Sequence, residues 1–308
     1  MKKFSKYVFL VSAIFLVLTV MAGCENEGST TGVFDIEDPL GFSLTVSEEI
    51  NSIVSLTPSV TGVLVDLGLA PYIVAVDMHS VFLFDNLNDD VLAVDLFNLE
   101  IESLIVLDPD LVIAHEMLMM GDMANDPLQA LRDLDIAVAY IAGIAAIEEI
   151  SQDILFLGEL TRRTDEATTL NDEFQRELAE IEALVSASDR SPTVYFEISP
   201  APDMWSFGSG TFQQELLERA GAINVFADQE GWFQVGAESV VEANPEVIFT
   251  NASFMDDPVG EVLSRSGWDT VDAIENGRVY YINDDASSAP NHHIVIALRI
   301  MVEYLHGE

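Results

Sequence analysis

Cysteine, lysine and positive charge in general are scarce in this chain. The one cysteine is Cys24, which excludes an intrachain disulfide framework and any cysteine-cluster metal site. Twelve basic side chains stand against 53 acidic ones, for a formal net charge of −41. A field of that sign repels phosphate backbones, so a general nucleic-acid binder is excluded. The lysines are Lys2, Lys3 and Lys6, and every later cation is an arginine. No P-loop, GxGxxG, HExxH or nucleophile elbow is present, and Gly208-Ser209-Gly210 does not make a GxSxG. Acids such as Glu116, Asp122 and Asp203 carry no catalytic signal where carboxylates are this abundant, so the chain does not read as an enzyme. What it does have is 49% hydrophobic side chains, far too many for a disordered acidic polymer.

The first residues read as an address. Three lysines precede an apolar run, Val8–Val20, broken by Ser12 and Thr19. That run falls short of the roughly 20 residues a membrane-spanning helix needs and matches an export signal. Met21-Ala22-Gly23-Cys24 resembles the bacterial lipoprotein processing box, with Met21 where leucine is usual. The resemblance implies a signal peptide over 1–23, lipidation of Cys24, and an extracytoplasmic protein held to the cell membrane. Glu25–Asp38 is rich in Gly, Ser, Thr and acids, so 24–45 is expected to be a flexible tether.

Beyond the tether, short β-branched runs alternate with helical patterns. Strands are expected at Ile53–Leu56, Tyr72–Val76, Leu111–Ala114 and Ile136–Tyr140, with helices at Val60–Leu69, Ile101–Leu107 and Pro127–Leu134. This alternation predicts parallel strands with crossover helices. From Ile147 to Val185 there is no proline, and apolar residues recur at helical spacing, with Gly158 the one weak point. A second set follows: strands at Thr193–Ile198, Val247–Thr250 and Val279–Ile282, and helices at Thr211–Ala220, Ser239–Ala243 and Ile294–Leu305. The two halves echo each other. Glu100 leads to Asp108-Pro109-Asp110-Leu111-Val112-Ile113, and Glu238 leads to Asn244-Pro245-Glu246-Val247-Ile248.

Several of these segments, taken in order, resemble the extracytoplasmic binding proteins for iron complexes (siderophore or haem) and cobalamin that serve ABC importers. They are Ser52–Ser59, Asn98-Leu99-Glu100, Asp108–Val112, Ser206–Phe212, Ala220–Phe226, Asn244–Ile248 and Gly277–Tyr280. The resemblance implies an α/β fold of the class III periplasmic-binding-protein type: two Rossmann-like lobes joined by one long helix, with the ligand in the cleft between them. The corresponding boundaries are 46–155 for the first lobe, 156–188 for the helix and 189–308 for the second lobe. It also implies an ABC permease and its ATPase as partners, with Glu100 and Glu238 docking onto permease arginines. Two fixed carboxylates, one per lobe, can meet two cationic pockets in a single geometry.

Ligands in open α/β sheets sit at the carboxyl ends of strands. The loops expected there hold no lysine or arginine. They hold Phe82, Phe84, Met119, Trp205, Phe207, Trp232 and Phe233, together with His79, His115 and His292, and these ten are the candidate ligand-binding residues. A buried anion would need a paired cation, so the loops favour a bulky ligand of low charge, a metal–organic chelate. No cofactor of the protein's own is expected. A rival reading is a free zinc or manganese ion held by His79, His115, one of His292 or His293, and a carboxylate such as Glu116 or Asp284.

Overall fold

The computed structural model describes residues 32–307 except 85, 120–125 and 144–145, and describes no side chain at 82, 83 or 285. Cys24 and the export signal lie outside the described residues.

Two parallel sheets carry the architecture. The first has the strand order Leu92–Val94, Ile73–Asp77, Ile53–Leu56, Leu111–His115, Ala137–Ile141, with every pairing parallel. The second runs Ile223–Asn224, Thr193–Glu197, Val247–Thr250, Val279–Tyr281, again parallel throughout. Parallel strands need crossover connections, and the crossovers cover both faces. Successive residues therefore feed different cores. Ile53, Leu111 and Ile113 enter one apolar cluster and Val54, Val112 and Ala114 another. In the second sheet Val194, Phe196 and Phe249 part in the same way from Tyr195 and Ile248.

The helical pattern after Ile147 resolves into two helices rather than one. Glu149–Leu160 ends at Thr161, Arg162 takes φ 58°, and Thr164–Ser186 follows. The chain folds back on itself: Gln175 Nε2 donates to Ser151 Oγ at 2.7 Å, and Ala167 lies against Gly158. A Cβ on Gly158 would stand 2.2 Å from that of Ala167, so glycine here permits close helix contact. Thr164–Ser186 remains as the long helix between the lobes. The largest apolar cluster passes from Ile53 and Val63 through Ile154, Phe174 and Leu178 to Phe196 and Leu298, so the two lobes share a core.

The sequence-based expectations need three corrections. Part of the expected tether is a hairpin, Val33–Glu37 paired antiparallel with Ser43–Ser47. Leu44 and Val46 are buried, and the turn residue Asp38 accepts from Leu40 N, Phe42 N and Tyr140 N, which fastens it to the first sheet. The helix expected over Pro127–Leu134 shortens to Gln129–Arg132, because Asp126 accepts from Leu128 N and holds a turn in front of it. Finally, Trp205–Phe207 and Trp232–Gln234 form an antiparallel ribbon where loops were expected.

Candidate functional site

The carboxyl ends of the first sheet lead into Met78 and His79, which follow Ile73–Asp77, and into Glu116 and Met117, which follow Leu111–His115. Those of the second lead to the ribbon strand starting at Trp205 and to Phe254, which follows Val247–Thr250. These segments expose an unusual amount of apolar surface: Met117 is 77% exposed, Phe254 75%, Trp232 54% and Trp205 40%. In the ribbon Trp232 lies opposite Phe207, and Gln234 opposite Trp205. Directly paired residues share one face of an antiparallel ladder, so both tryptophans project from the same side.

The other predicted positions divide. Phe207 is fully buried against Phe196, with ring centroids 5.3 Å apart. Met119 is buried in the first sheet's outer core. Both are core side chains, not lining. Phe233 is half-buried and packs edge-on against Phe226. Phe84 is half-buried, its ring 3.3 Å from where a Cβ on Gly62 would lie. The side chain of Phe82 lies outside the described residues.

The two lobes touch at the start of the Pro58–Asp66 helix. Asn291 Nδ2 donates to Ser59 O at 3.4 Å and lies 2.6 Å from the place of a Gly62 Cβ. Beside this contact is a cavity of about 10 Å³ bounded by Ser59, Val60, Val63, Asp153, Leu157 and Asn291. It has room for a water molecule. Burial there, reinforced by the negative charge of Glu149, pushes the Asp153 carboxyl up to about 7.

The histidines do not converge as the metal-ion reading requires. His79 is exposed. His115 is half-buried, its Nδ1 accepts from Met117 N at 3.1 Å, and burial lowers its basicity. His292 and His293 turn instead to the far end of the first helix. Their Nε2 atoms lie 2.7 Å and 2.8 Å from one oxygen of Asp66. Burial alone would raise Asp66, but the two histidine hydrogen bonds outweigh it and hold the carboxyl far below its ordinary range. Burial also lowers His292, against the pull of Asp66. Among the described residues no group of three potential ligands includes His79 or His115.

Arg132 and Arg265 reach strands of the two sheets, and both are paired with carboxylates. Arg265 is bonded to Glu197 (2.6 Å and 2.9 Å) and to Glu261, and its side chain is buried. Arg132 is paired with Asp126 and stacks over Phe42. Neither offers an uncompensated charge to an anion.

Glu100 and Glu238 are exposed on separate lobes. The sequence echo around them is a structural one. Helix Ile101–Leu107 ends at Asp108 with φ 46°, ψ 57°, and Ala237–Ala243 at Asn244 with φ 44°, ψ 63°. Each is followed by proline and then an acid that clamps the start of a central strand. Asp110 accepts from Ser52 N and Glu246 from Thr193 N. Superposed by these caps, Glu238 matches Glu102, since each is the second residue of its helix, whereas Glu100 matches Gly236. Glu102 is also exposed. The cue was in the sequence: the distance to the proline, rather than the Asn-Leu-Glu triplet, sets the equivalence.

A family model described as periplasmic binding protein matches residues 53–286. An uncharacterized ABC transporter substrate-binding lipoprotein of Bacillus subtilis (strain 168), YvrC, is 29% identical, with 96% of both chains covered. A vitamin B12-binding protein of Vibrio cholerae serotype O1 is 25% identical over 82% of this chain and 88% of its own. Among solved structures, a possible iron-binding (periplasmic solute-binding) protein of Staphylococcus epidermidis ATCC 12228 has a TM-score of 0.69 at 29% identity, over 83% of this chain and 99% of its own.

Proposed function

This chain belongs to the periplasmic binding protein family, and from that premise we propose that it is the extracytoplasmic solute-binding component of an ABC importer. Lipidated Cys24 anchors it to the membrane, and it hands its cargo to a permease and its ATPase. The cargo is a metal–organic complex of low net charge: a corrinoid, a haem or a ferric siderophore.

The observation that carries this reading is the pair of exposed tryptophans on one ribbon face, with neighbouring arginines already spent on carboxylates. Large aromatic faces suit a broad, flat ligand. Arg132 and Arg265 are already bound to aspartate and glutamate and offer an oxyanion no free charge, and a bare ion would leave the tryptophans without a role. Admitting a ligand of corrinoid size requires the Ser59–Asn291 contact to open.

The test is a titration of mature protein with cyanocobalamin, haemin, a ferric hydroxamate, molybdate and Zn²⁺, followed by tryptophan fluorescence. One of the three chelates should quench it saturably. Trp232→Ala should weaken that binding by about tenfold or more, the loss expected for about 1.4 kcal/mol of aromatic contact. Saturation by molybdate alone would sink the reading, as would a chelate that binds Trp205→Ala and Trp232→Ala as tightly as the parent.

A further inference from the structure

Asp66, His292 and His293 bring three ligating atoms within 4.8 Å of one another. The three residues come from distant parts of the chain. Asp66 ends the helix that follows the first sheet's central strand, and the histidines immediately precede the C-terminal helix Ile294–His306. Both imidazoles aim Nε2 at the same carboxylate oxygen. The cluster also lies apart from the strand ends. Asn291 meets the helix at Ser59 and His292 meets it at Asp66, roughly 10 Å further along at 1.5 Å rise per residue.

We propose that Asp66, His292 and His293 form a binding site for a divalent first-row transition ion, with Zn²⁺ as the reference. Two imidazoles and one carboxylate are a donor set for borderline ions, whereas calcium and magnesium favour oxygen alone. Bonds of about 2.0–2.1 Å place tetrahedral ligands roughly 3.3 Å apart. The present Nε2–Oδ2 separations of 2.7 Å and 2.8 Å need to widen by about half an ångström, which side-chain rotation supplies. Three protein ligands leave the fourth position to water. A bound ion clips the first lobe's helix to the segment entering the C-terminal helix, so it stiffens the junction between lobes without occupying the cargo surface.

The experiment uses mature protein without a histidine tag, stripped with chelator, then titrated with Zn²⁺ by calorimetry and with Co²⁺ by visible absorption. One equivalent of Zn²⁺ is expected, with a rise in melting temperature and a Co²⁺ d–d spectrum of low coordination number. His293→Ala and Asp66→Asn should each weaken Zn²⁺ by at least about tenfold, since even outer-shell changes cost 10–100-fold. His79→Gln should leave it unchanged. Both informative positions are partly exposed, so these variants fold even if His292→Ala does not. Failure to saturate at one equivalent overturns the proposal, and so does binding to His293→Ala and Asp66→Asn as tight as to the parent. Chelate titration of the same variants reads the tryptophan surface separately, so the two proposals fail independently.

Discussion

Asp153 is a carboxyl facing Val60, Val63 and Leu157 across a water-sized cavity. Burial and the nearby Glu149 push it up to about 7, against roughly 3.9 in an unfolded chain. A carboxyl whose folded value is raised adds stability below its unfolded value and loses it as pH climbs through the folded one. The melting temperature of the parent minus that of Asp153→Asn should therefore fall between about pH 4 and pH 7 and level off above, by on the order of 2–4 °C for each kcal/mol lost. A difference that stays flat or rises across this range would show that Asp153 ionises normally. This group could not be picked out from the sequence among 53 acids. The same limit governed the large apolar residues. Trp205, Trp232, Met119 and Phe207 all lay in segments expected at strand ends, and the sequence grouped them. Packing separated them, leaving the tryptophans exposed and placing Met119 and Phe207 in cores.

At the level of elements, the helix hairpin rests on one glycine. Gly158→Ala gains about 1 kcal/mol of helix propensity but drives a methyl into Ala167 and to within 3.2 Å of Arg163 O. Overpacking of this kind costs about 1–3 kcal/mol, so Gly158→Ala should be destabilised in urea unfolding. Adding Ala167→Gly should recover stability, even though that change alone costs about 1 kcal/mol. Additive losses in the double variant would count against a direct contact. Periodicity marked the whole stretch as helical but could not locate the break. Thr161–Arg163 contains no proline or glycine, and the reversal depends on Arg162 adopting a left-handed conformation. The strands were easier to read. Runs buried on both faces are mostly apolar, so Ile53–Leu56 and Val247–Thr250 stood out, while the ribbon strand Trp205–Phe207 has only three residues and the hairpin strand Ser43–Ser47 alternates apolar residues with polar ones.

For the whole molecule the issue is how two lobes present themselves to one partner. Glu102 and Glu238 occupy matched places in matched helices, and we propose that they, rather than Glu100 and Glu238, form the docking pair. Val106, a turn beyond Glu102, and Phe97, just before its helix, are almost fully exposed, adding apolar contact beside the acid. Glu102→Ala with Glu238→Ala should reduce cargo uptake in cells by tenfold or more, since truncating an interfacial charge pair costs about 2–5 kcal/mol, while cargo affinity of the purified protein stays the same. Glu100→Ala should have little effect. Strong loss of uptake from Glu100→Ala, with Glu102→Ala silent, would restore Glu100 to the role first read from the Asn-Leu-Glu triplet. The core shared through Ile154, Phe174, Leu178 and Leu298 argues for small lobe movements about the helix pair rather than wide opening.

The order of residues alone determined that this chain alternates buried strands with helices, repeats that arrangement once, and carries few cations, all of them arginine, after its first residues. Those properties follow from local periodicity and composition, which need no partner. Which loop side chains face solvent, which glutamate matches Glu238, and that Asp66 meets His292 and His293 across more than two hundred residues were settled only by the fold. Contacts between segments so far apart in sequence depend on where the two sheets and the helix hairpin come to rest against each other.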